Sequence, residues 1–306
     1  MKLSLLNNGS DQSVPDASLS LPHPTRTHSR SIWQSPFFRN RLAVFSGVIL
    51  LVLLVMTVAA PLLATHDPYD QDMTASLQPP SAEHWLGTDK QGRDTWSRLV
   101  YGTQPTLMGA ILVVLISELI GVPLGLAAGY YGGRVDNLIM RALDMLLAFP
   151  ALLLAILIVA TFGRGLTNTV IALGIVYIPA IARLVRSVSL VQREQTYITA
   201  ARSLGLVDRR ILFRHLLPNV TSPILVQSTI DLAYAILDIA ALSFLGLGIQ
   251  PPEPDWGSML AEGRSFLLLS PYVAITAGLA IMLAVIAFNL FGDGLRVQLD
   301  PRQRKI

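Results

Sequence analysis

The sequence predicts an all-α integral membrane protein with six transmembrane helices and both chain termini on one side of the membrane. Hydrophobic residues occupy 52% of the 306 positions, only 14% are charged, and mean hydropathy is +0.53. That composition is too apolar for an ordinary soluble domain of this length. Six apolar runs each approach the ~20 residues that a helix needs to cross the hydrocarbon core. They lie at residues 42–64, 106–130, 138–162, 169–190, 222–247 and 271–295.

The distribution of basic residues predicts the orientation of the chain. Lys and Arg near the ends of spanning helices are enriched on the cytoplasmic side. With the amino terminus inside, the outer segments hold five of the 23 Lys and Arg, and the inner segments hold the other 18. The five outer residues are Lys90, Arg93, Arg98, Arg164 and Arg264. Both termini are therefore predicted to be cytoplasmic, and the scattered arginines give no reason to expect nucleic-acid binding.

The same patterns divide the chain into five segments. Residues 1–35 are rich in Ser, Pro, Asn and Thr, a composition typical of a flexible tail, here a cytoplasmic one. Residues 36–65 contain the first transmembrane helix, and residues 66–104 form a polar outer loop. Residues 105–296 form the core domain with the other five spans, and residues 297–306 form a second cytoplasmic tail.

A long basic segment at residues 192–218 joins the fourth and fifth predicted spans. It reads Thr199-Ala200-Ala201, three residues, Gly205, nine residues, and then His215-Leu216-Leu217-Pro218. The segment resembles the EAA loop of ABC importer permeases, which is written E-A-A, three residues, G, nine residues, I-x-L-P. The spacing agrees at every step. Two positions depart from the family pattern, because Thr199 replaces Glu and His215 replaces Ile.

The segment predicts a helix, a bend at Gly205, a second helix and a stop at Pro218. Apolar side chains on such a short helix can enter a groove on a partner protein, and glycine permits a sharp bend. The alternative is an amphipathic helix lying on anionic lipid, aided by Arg209, Arg210 and Arg214. The resemblance implies an ATPase-coupling role for Ala200, Ala201, Gly205, Asp208, Ile211, Leu212, His215, Leu217 and Pro218.

Several further motifs resemble the dipeptide, oligopeptide and nickel branch of these permeases, in particular its C-type subunit. The similarity extends from about residue 35 to residue 301. Any one of these glycine- and proline-containing motifs alone could be explained as an ordinary turn. The resemblance depends on finding them together. They are Leu86-Gly87-Thr88-Asp89, Gly92-Arg93-Asp94, Ser97-Arg98, residues 243–248, Gln250-Pro251-Pro252, Trp256-Gly257, residues 288–296 and Leu299-Asp300-Pro301.

This resemblance implies a type I ABC importer transmembrane domain in the bacterial inner membrane, with residues 66–104 in the periplasm. It also implies a heterodimer with a homologous second permease, two cytoplasmic ABC ATPase subunits and a periplasmic solute-binding protein. The implied cargo is a dipeptide, an oligopeptide, glutathione or a nickel complex. ATP and Mg²⁺ would be bound by the partner ATPases, and this chain would bind no cofactor.

The chain lacks the sequence features of an ATPase or hydrolase. A phosphate-binding loop ends in Gly-Lys-Ser/Thr, but none of the three lysines, Lys2, Lys90 and Lys305, follows a glycine. There is no cysteine, and no metalloprotease or serine-hydrolase motif. We therefore expect a transport subunit that is not an enzyme, with no catalytic residue and no metal site. An intramembrane enzyme is the weakest alternative.

Four acidic residues lie within the predicted spans: Glu118, Asp144, Asp231 and Asp238. A carboxylate in the membrane costs at least a few kcal/mol unless it is paired, hydrated or protonated. Two interpretations stay open, a translocation path lined by these residues, or structural hydrogen bonds to the bundle or to a partner chain. The main functional alternative is a proton-coupled secondary transporter that uses the four carboxylates as a relay.

Three glycines recur every four residues in the second predicted span, at Gly121, Gly125 and Gly129. They share one helix face, and without side chains that face lets a neighbouring helix approach closely. The pattern predicts tight helix packing, with a hinge at Pro123 as the alternative.

Overall fold

The structure, a computed structural model, describes residues 40–299. The predicted tail at residues 1–35 and residues 300–306 of the second tail lie outside the described residues. Within the described part the chain is helical, and its one β-bridge, between Thr88 and Asp94, is isolated. The helices are α1 (Arg41–Val58), α2 (Ala60–Leu63), α3 (Thr95–Tyr131), α4 (Gly133–Leu147), α5 (Ala151–Phe162), α6 (Leu166–Arg193), α7 (Thr196–Ser203), α8 (Asp208–Ile211), α9 (Leu217–Phe244), α10 (Trp256–Arg264) and α11 (Tyr272–Leu299), with a 3₁₀ turn at Met73–Ala75 and a π-helical turn at Leu212–Leu216.

Five helical stretches of the described chain are long and apolar enough to cross a membrane. They are α1, α3, α6, the stretch Asp208–Phe244 and α11. The pair α4 and α5 meets the same criterion when taken together, although the two helices are bent by 80°. The predicted all-α membrane fold is confirmed, with five spanning helices by length and composition and this broken pair as the candidate for the sixth.

The prediction of one uninterrupted helix over residues 138–162 is wrong, because α4 ends at Leu147 and α5 begins at Ala151. Pro150 occupies the N-cap position of α5 with an extended ψ of 130°. A proline disfavours helical backbone at the residue before it, so the chain turns at Ala148 and Phe149. Because the residues on both sides of this turn are apolar, the sequence pattern did not indicate a break between two helices.

Helix α3 begins at Thr95, eleven positions before the apolar run that predicted it. The Asp94 side chain caps the helix by accepting a hydrogen bond from the Ser97 amide, which satisfies one of the free amides of the first turn. Residues 95–104 of the predicted outer loop are therefore helical. With 37 residues, α3 is about 55 Å long, so it extends beyond a hydrocarbon core of about 30 Å.

The glycine face of α3 lies directly against α6, which confirms the predicted close packing. A Cβ added to Gly125 would lie 2.7 Å from Val185 Cβ, and one added to Gly129 would lie 2.9 Å from the Arg186 carbonyl oxygen. Such contacts leave no room for a side chain, so the glycines let the two backbones touch. Helix α3 continues through Pro123 without a break.

Helix α6 is the central helix and α1 is peripheral. In the most apolar window of α6, 61% of residues are buried within the chain, against 17% for α1. The main core lies where α3, α6, α9 and α11 meet, and α1 presents apolar side chains such as Leu51 and Leu54 outward. An apolar outer surface of this kind is appropriate to lipid or to a membrane partner.

Helix α3 also defines two ends of the bundle. At its start, Arg93 Nη2 donates to Glu262 Oε2 at 2.9 Å and joins the loop at residues 65–94 to α10; we call this the loop end. At its finish, the Tyr130 hydroxyl donates to Asp208 Oδ1 at 2.8 Å in the segment at residues 192–218; we call this the coupling end. The segments predicted on opposite sides of the membrane therefore lie at opposite ends.

Candidate functional site

The segment at residues 192–218 folds as two short helices separated by a glycine turn. Gly205 follows α7 with φ +73°, a left-handed conformation that glycine adopts at little cost. The Leu206 amide donates to the Ala201 carbonyl oxygen at 3.2 Å and the Gly205 amide donates to that of Arg202 at 2.9 Å. This pair of bonds closes the helix end, and the predicted bend at Gly205 is confirmed.

The predicted stop at Pro218 is wrong, because the helix continues from Asp208 to Phe244. A proline inside a helix lacks the amide that would donate to the preceding turn. Here the preceding turn, Leu212–Leu216, is π-helical, and the Leu217 amide donates to the Leu212 carbonyl oxygen, five residues back. The wider turn accommodates the proline. The segment at residues 192–218, which we call the coupling segment after its predicted role, is therefore continuous with a membrane-spanning helix.

Ile211, which the resemblance assigns to coupling, and the neighbouring Leu216 are enclosed within this chain. Ile211 and Leu216 are both 0% exposed and pack with Leu126, Val185 and other side chains of α3 and α6. The interpretation of Ile211 as part of a plug for a partner's groove is therefore corrected, because it anchors the coupling segment to its own bundle. Ala201 is also buried, whereas Leu212, His215 and Leu217 are half-buried and Ala200, Gly205, Asp208 and Pro218 are exposed.

The apolar side chains that do face outward are ones the motif did not identify. Leu204 is 80% exposed, Val207 68% and Phe213 55%. Val207 and Phe213 line an open hollow of about 410 Å³ together with Arg209 and Arg210. Leu204 and Val207 flank the Gly205 turn, and a search for apolar residues beside a left-handed glycine would have found them. We call Leu204, Val207 and Phe213 the apolar tip.

The coupling segment is attached to the end of α3 by side chains from both short helices. Asp208 accepts the hydrogen bond from Tyr130, and the Arg202 guanidinium lies 4.7 Å from the Tyr130 ring centroid. Arg193 Nη1 also donates to the Gly129 carbonyl oxygen at 3.2 Å. A displacement of α7 and α8 is therefore resisted by contacts to α3 as well as by the continuous chain into α9.

Each of the four predicted path carboxylates has a partner within this chain. Ser228 Oγ donates to Glu118 Oε1, Gln227 Nε2 donates to Asp231 Oδ1 at 2.8 Å, and the Tyr177 hydroxyl donates to Asp238 Oδ2 at 2.8 Å. Asp144 is set apart from them, because it pairs with Arg183 at 2.5 Å between α4 and α6. These contacts match the structural interpretation of the carboxylates, and their role as a translocation path stays a prediction.

The loop end contains a buried group of charges that composition could not reveal. Arg93 Nε lies 2.6 Å from Asp89 Oδ2, while Arg98 lies 3.5 Å from Asp89 and 3.4 Å from Glu262. Both arginine side chains are 1% exposed. Charged groups buried in this way must be paired closely with opposite charges, because removing a charge from water is costly. Together with the Arg93–Glu262 contact, the group fixes the first loop against α10.

Two histidines and one aspartate also meet at the loop end. His66, His84 and Asp94 each place one ligand-type atom within 4.8 Å of the others. The sequence spacing, 18 and then 10 residues through a loop, matches no short metal motif, so no sequence signal would have identified this group.

Comparisons with known proteins agree with the fold and identify the family. Residues 121–305 match the family described as binding-protein-dependent transport system inner membrane component, and residues 29–80 match the N-terminal TM domain of oligopeptide transport permease C. The first match spans more than half of the chain and includes the whole coupling segment.

Curated relatives cover nearly the full chain. The glutathione transport system permease protein GsiD of Pectobacterium atrosepticum is 48% identical over 278 residues, which are 90% of this chain and 92% of that protein. The dipeptide transport system permease protein DppC of Alkalihalophilus pseudofirmus is 44% identical over 277 residues, 90% of this chain and 91% of that protein.

A solved structure of inward-facing conformations of the MetNI methionine ABC transporter contains a chain with the same fold. The TM-score is 0.54 at 20% identity, and the superposition covers 66% of this chain and 97% of that chain. The predicted fold class and family resemblance are confirmed, and no comparison supports a proton-coupled transporter. The chain belongs to the family of binding-protein-dependent transport system inner membrane components, as a multi-pass permease subunit of an ABC transporter.

Proposed function

We propose that this permease imports short peptides, including glutathione-like peptides, across the bacterial inner membrane and is driven by separate ATPase subunits that bind its coupling segment. The single observation that carries the coupling part is the apolar tip at the coupling end. Three large apolar side chains stay exposed there beside the cationic residues Arg209 and Arg210. They lie beside and after the left-handed turn at Gly205, where α7 ends and the helix from Asp208 to Phe244 begins.

The apolar tip has the composition of a small protein docking surface. Interface centres are rich in aromatic and apolar anchors, with polar groups at the rim. Phe213 and Val207 supply the anchors, and Arg209 and Arg210 border them. A groove on an ATPase subunit that accepts this tip would move α7 and α8 whenever that subunit changes conformation.

Motion at the tip reaches the spans by two routes. One is covalent, since the helix from Asp208 to Phe244 is continuous. The other is the contact of Asp208 and Arg202 with Tyr130 at the end of α3. ATP binding by the partner subunits would bias the bundle between inward-open and outward-open arrangements through these contacts.

The proposed cargo follows from the relatives. Those described above are named for glutathione and dipeptide transport, and another, in Escherichia coli, is described as a probable D,D-dipeptide transport system permease protein. All three names refer to short peptides. We assign the same class of cargo to this chain, with selection made largely by a separate solute-binding protein.

The complete importer would contain this chain, a homologous second permease, two cytoplasmic ATPases and a periplasmic binding protein. ATP and Mg²⁺ would be bound by the ATPases, with no cofactor held by this chain. The loop end would then face the periplasm, in agreement with the small number of basic residues on that side.

Crosslinking tests this assignment directly, because the chain has no cysteine of its own. Val207→Cys in a transport-competent complex is expected to crosslink to a cysteine placed along the ATPase groove. Leu268→Cys is the matched control, since Leu268 is fully exposed at 101% but follows α10 at the loop end. A Val207→Cys chain that imports normally yet never crosslinks to the ATPase would exclude the proposed docking.

A further inference from the structure

We propose that His66, His84 and Asp94 bind a divalent first-row transition metal ion, of which Zn²⁺ is the representative, at the loop end. Two imidazoles and one carboxylate are a ligand set that Zn²⁺ and its neighbours accept. The three residues come from separate places, the chain just after α2, the middle of the loop and the N-cap of α3. The fold brings their ligand atoms within 4.8 Å of one another.

The two histidines face the same carboxylate oxygen. His84 Nδ1 lies 3.0 Å from Asp94 Oδ1 and His66 Nδ1 lies 3.9 Å from it. The two rings are 4.7 Å apart between centroids. Ligands of one Zn²⁺ at about 2.0–2.2 Å from the ion are about 3.0–3.5 Å from each other. Binding of one ion would therefore draw the three ligand atoms closer than the 4.8 Å within which they now lie.

The other oxygen of Asp94 is held by separate partners. Asp94 Oδ2 accepts hydrogen bonds from the Ser97 amide at 2.8 Å, from Ser97 Oγ at 2.7 Å and from Thr65 Oγ1 at 3.3 Å. These bonds orient the carboxylate and leave Oδ1 directed at the imidazoles, an arrangement typical of supported metal ligands. Thr65 Oγ1 also lies 3.1 Å from His66 Nδ1, so it is the group that an ion would displace there.

The charges around the three residues and their exposure to solvent also favour binding of a cation. Asp94 is 1% exposed on its side chain and His84 12%, whereas His66 is 36% exposed and opens the group to solvent. The neighbouring Arg93 is directed away, since it pairs with Asp89 and Glu262. The amino end of α3 repels a cation, but within the first turn this effect is only about 0.5 of an elementary charge, and the full charge of Asp94 exceeds it.

A direct contact with Asp94 explains the position of His84, whereas His66 Nδ1 contacts Thr65 Oγ1 and makes no direct hydrogen bond to Asp94. His84 is within hydrogen-bond distance of Asp94 and helps to close the loop, as an ordinary buried histidine does. His66 lies beyond hydrogen-bond distance of Asp94 at 3.9 Å, yet its Nδ1 faces that carboxylate. An ion bound by all three would tie the end of the first span, the middle of the loop and the start of α3 together.

Metal binding is measured on the purified full chain without a polyhistidine tag. His23 and His28 are replaced by Ala in every sample, so that only the histidines in the described residues can bind. Equilibrium dialysis with Zn²⁺ followed by elemental analysis is expected to give one ion per chain. Titration with Co²⁺ is expected to produce visible d–d absorption with the same stoichiometry.

Two substitutions separate metal ligation from structure. His66→Ala and His84→Asn are each expected to weaken Zn²⁺ binding at least tenfold, although the asparagine in the second variant retains an amide donor for Asp94. His215→Ala is the matched control, because His215 lies at the coupling end, and it is expected to bind as the parent does. Parent and His66→Ala samples are expected to melt at the same temperature without metal, and Zn²⁺ is expected to raise only that of the parent.

Equal Zn²⁺ binding by the parent and by His66→Ala would overturn the proposal, as would a parent that binds less than one ion per five chains at saturating Zn²⁺. If His84→Asn does not fold, the His66→Ala comparison decides, since His66 is partly exposed and lies outside the α3 cap. The measurement does not depend on transport, so its failure leaves the proposed import function untouched.

Discussion

Asp255 shows how a single buried carboxylate at the loop end serves a helix that no apolar run predicted. Its Oδ1 accepts hydrogen bonds from the Gly257 and Ser258 amides and caps α10, while Trp256 beside it is 0% exposed and donates to the Leu99 carbonyl oxygen at 3.0 Å. The cap positions that indole against α3. Burial raises the pKa of Asp255 above its ordinary value of 3.8.

This shift predicts a pH dependence of stability. Because the folded-state pKa is raised, the stability that Asp255 contributes is fully present below its unfolded pKa and is lost as pH rises through the folded pKa. Asp255→Asn keeps an oxygen for the cap and removes the charge. We expect its melting temperature, relative to the parent, to increase as pH rises above about 4.

Thermal unfolding of the purified chain across pH measures this difference, with exposed Asp70→Asn as the control that leaves the slope unchanged. A parent and an Asp255→Asn variant that differ by the same amount at every pH would show that burial of the charge has no energetic consequence.

At the scale of elements, the turn at Gly205 sets the direction of the apolar tip. An added Cβ at Gly205 meets nothing within 4 Å, but φ is +73°. Glycine is therefore favoured at this position by the left-handed backbone conformation and not by steric crowding. A β-branched residue in this conformation costs about 1–2 kcal/mol, whereas Asn tolerates it better.

Gly205→Val is accordingly expected to reorient α7 relative to α8 and to lower ATP-dependent uptake by about tenfold, with normal insertion in the membrane. Gly205→Asn is the matched variant and is expected to retain most of the uptake. Uptake of a labelled dipeptide into proteoliposomes, normalised to the amount of complex, measures the difference. Equal uptake by Gly205→Val and the parent would contradict the assignment of the turn to coupling.

The coupling segment also shows a case in which sequence rules for helix ends give the wrong prediction. A proline normally ends or bends a helix, but at Pro218 the π-helical turn changes the hydrogen-bond spacing before it, and no local residue pattern signals that turn. The break at Ala148 and Phe149 is the reverse case, because a proline ended a helix inside an apolar run that read as one span.

Over the whole molecule, the features predictable from sequence were those with a strong one-dimensional signal. Apolar runs located the spans, and the Gly121, Gly125 and Gly129 period placed the contact between α3 and α6. Burial in three dimensions was not predictable. Ile211 and Leu204 are both apolar residues of the coupling segment, and only the fold encloses the first and exposes the second.

The loop end illustrates the same limit for charges. The sequence shows Arg93 and Glu262 as two outer-loop residues 169 positions apart, and nothing local distinguishes a buried ion pair from two solvated charges. Their contact needs both α3 and α10 to be in place. Long-range polar contacts of this kind form only when the helices are packed. They therefore cannot be predicted from sequence before the packing is known.

The proposed function requires that motion at the coupling end move the spans, and the hydroxyl of Tyr130 is a contact in that link that can be removed with little change to the fold. Tyr130→Phe removes the hydroxyl that donates to Asp208 and keeps the ring beneath Arg202. A hydrogen bond of this kind is worth about 0.5–1.5 kcal/mol, so the variant is expected to fold while the coupling segment moves more freely against α3.

We therefore expect Tyr130→Phe to hydrolyse ATP through its partner subunits at near-parent rates but to import about two- to tenfold less peptide per ATP. Tyr131→Phe is the matched control, since Tyr131 is 50% exposed and its ring touches Tyr130 edge-on. Simultaneous ATPase and uptake assays on one proteoliposome preparation give the ratio. A Tyr130→Phe ratio equal to that of Tyr131→Phe would mean that force passes only through the continuous helix from Asp208 to Phe244, and that the contact with α3 merely holds the segment in place.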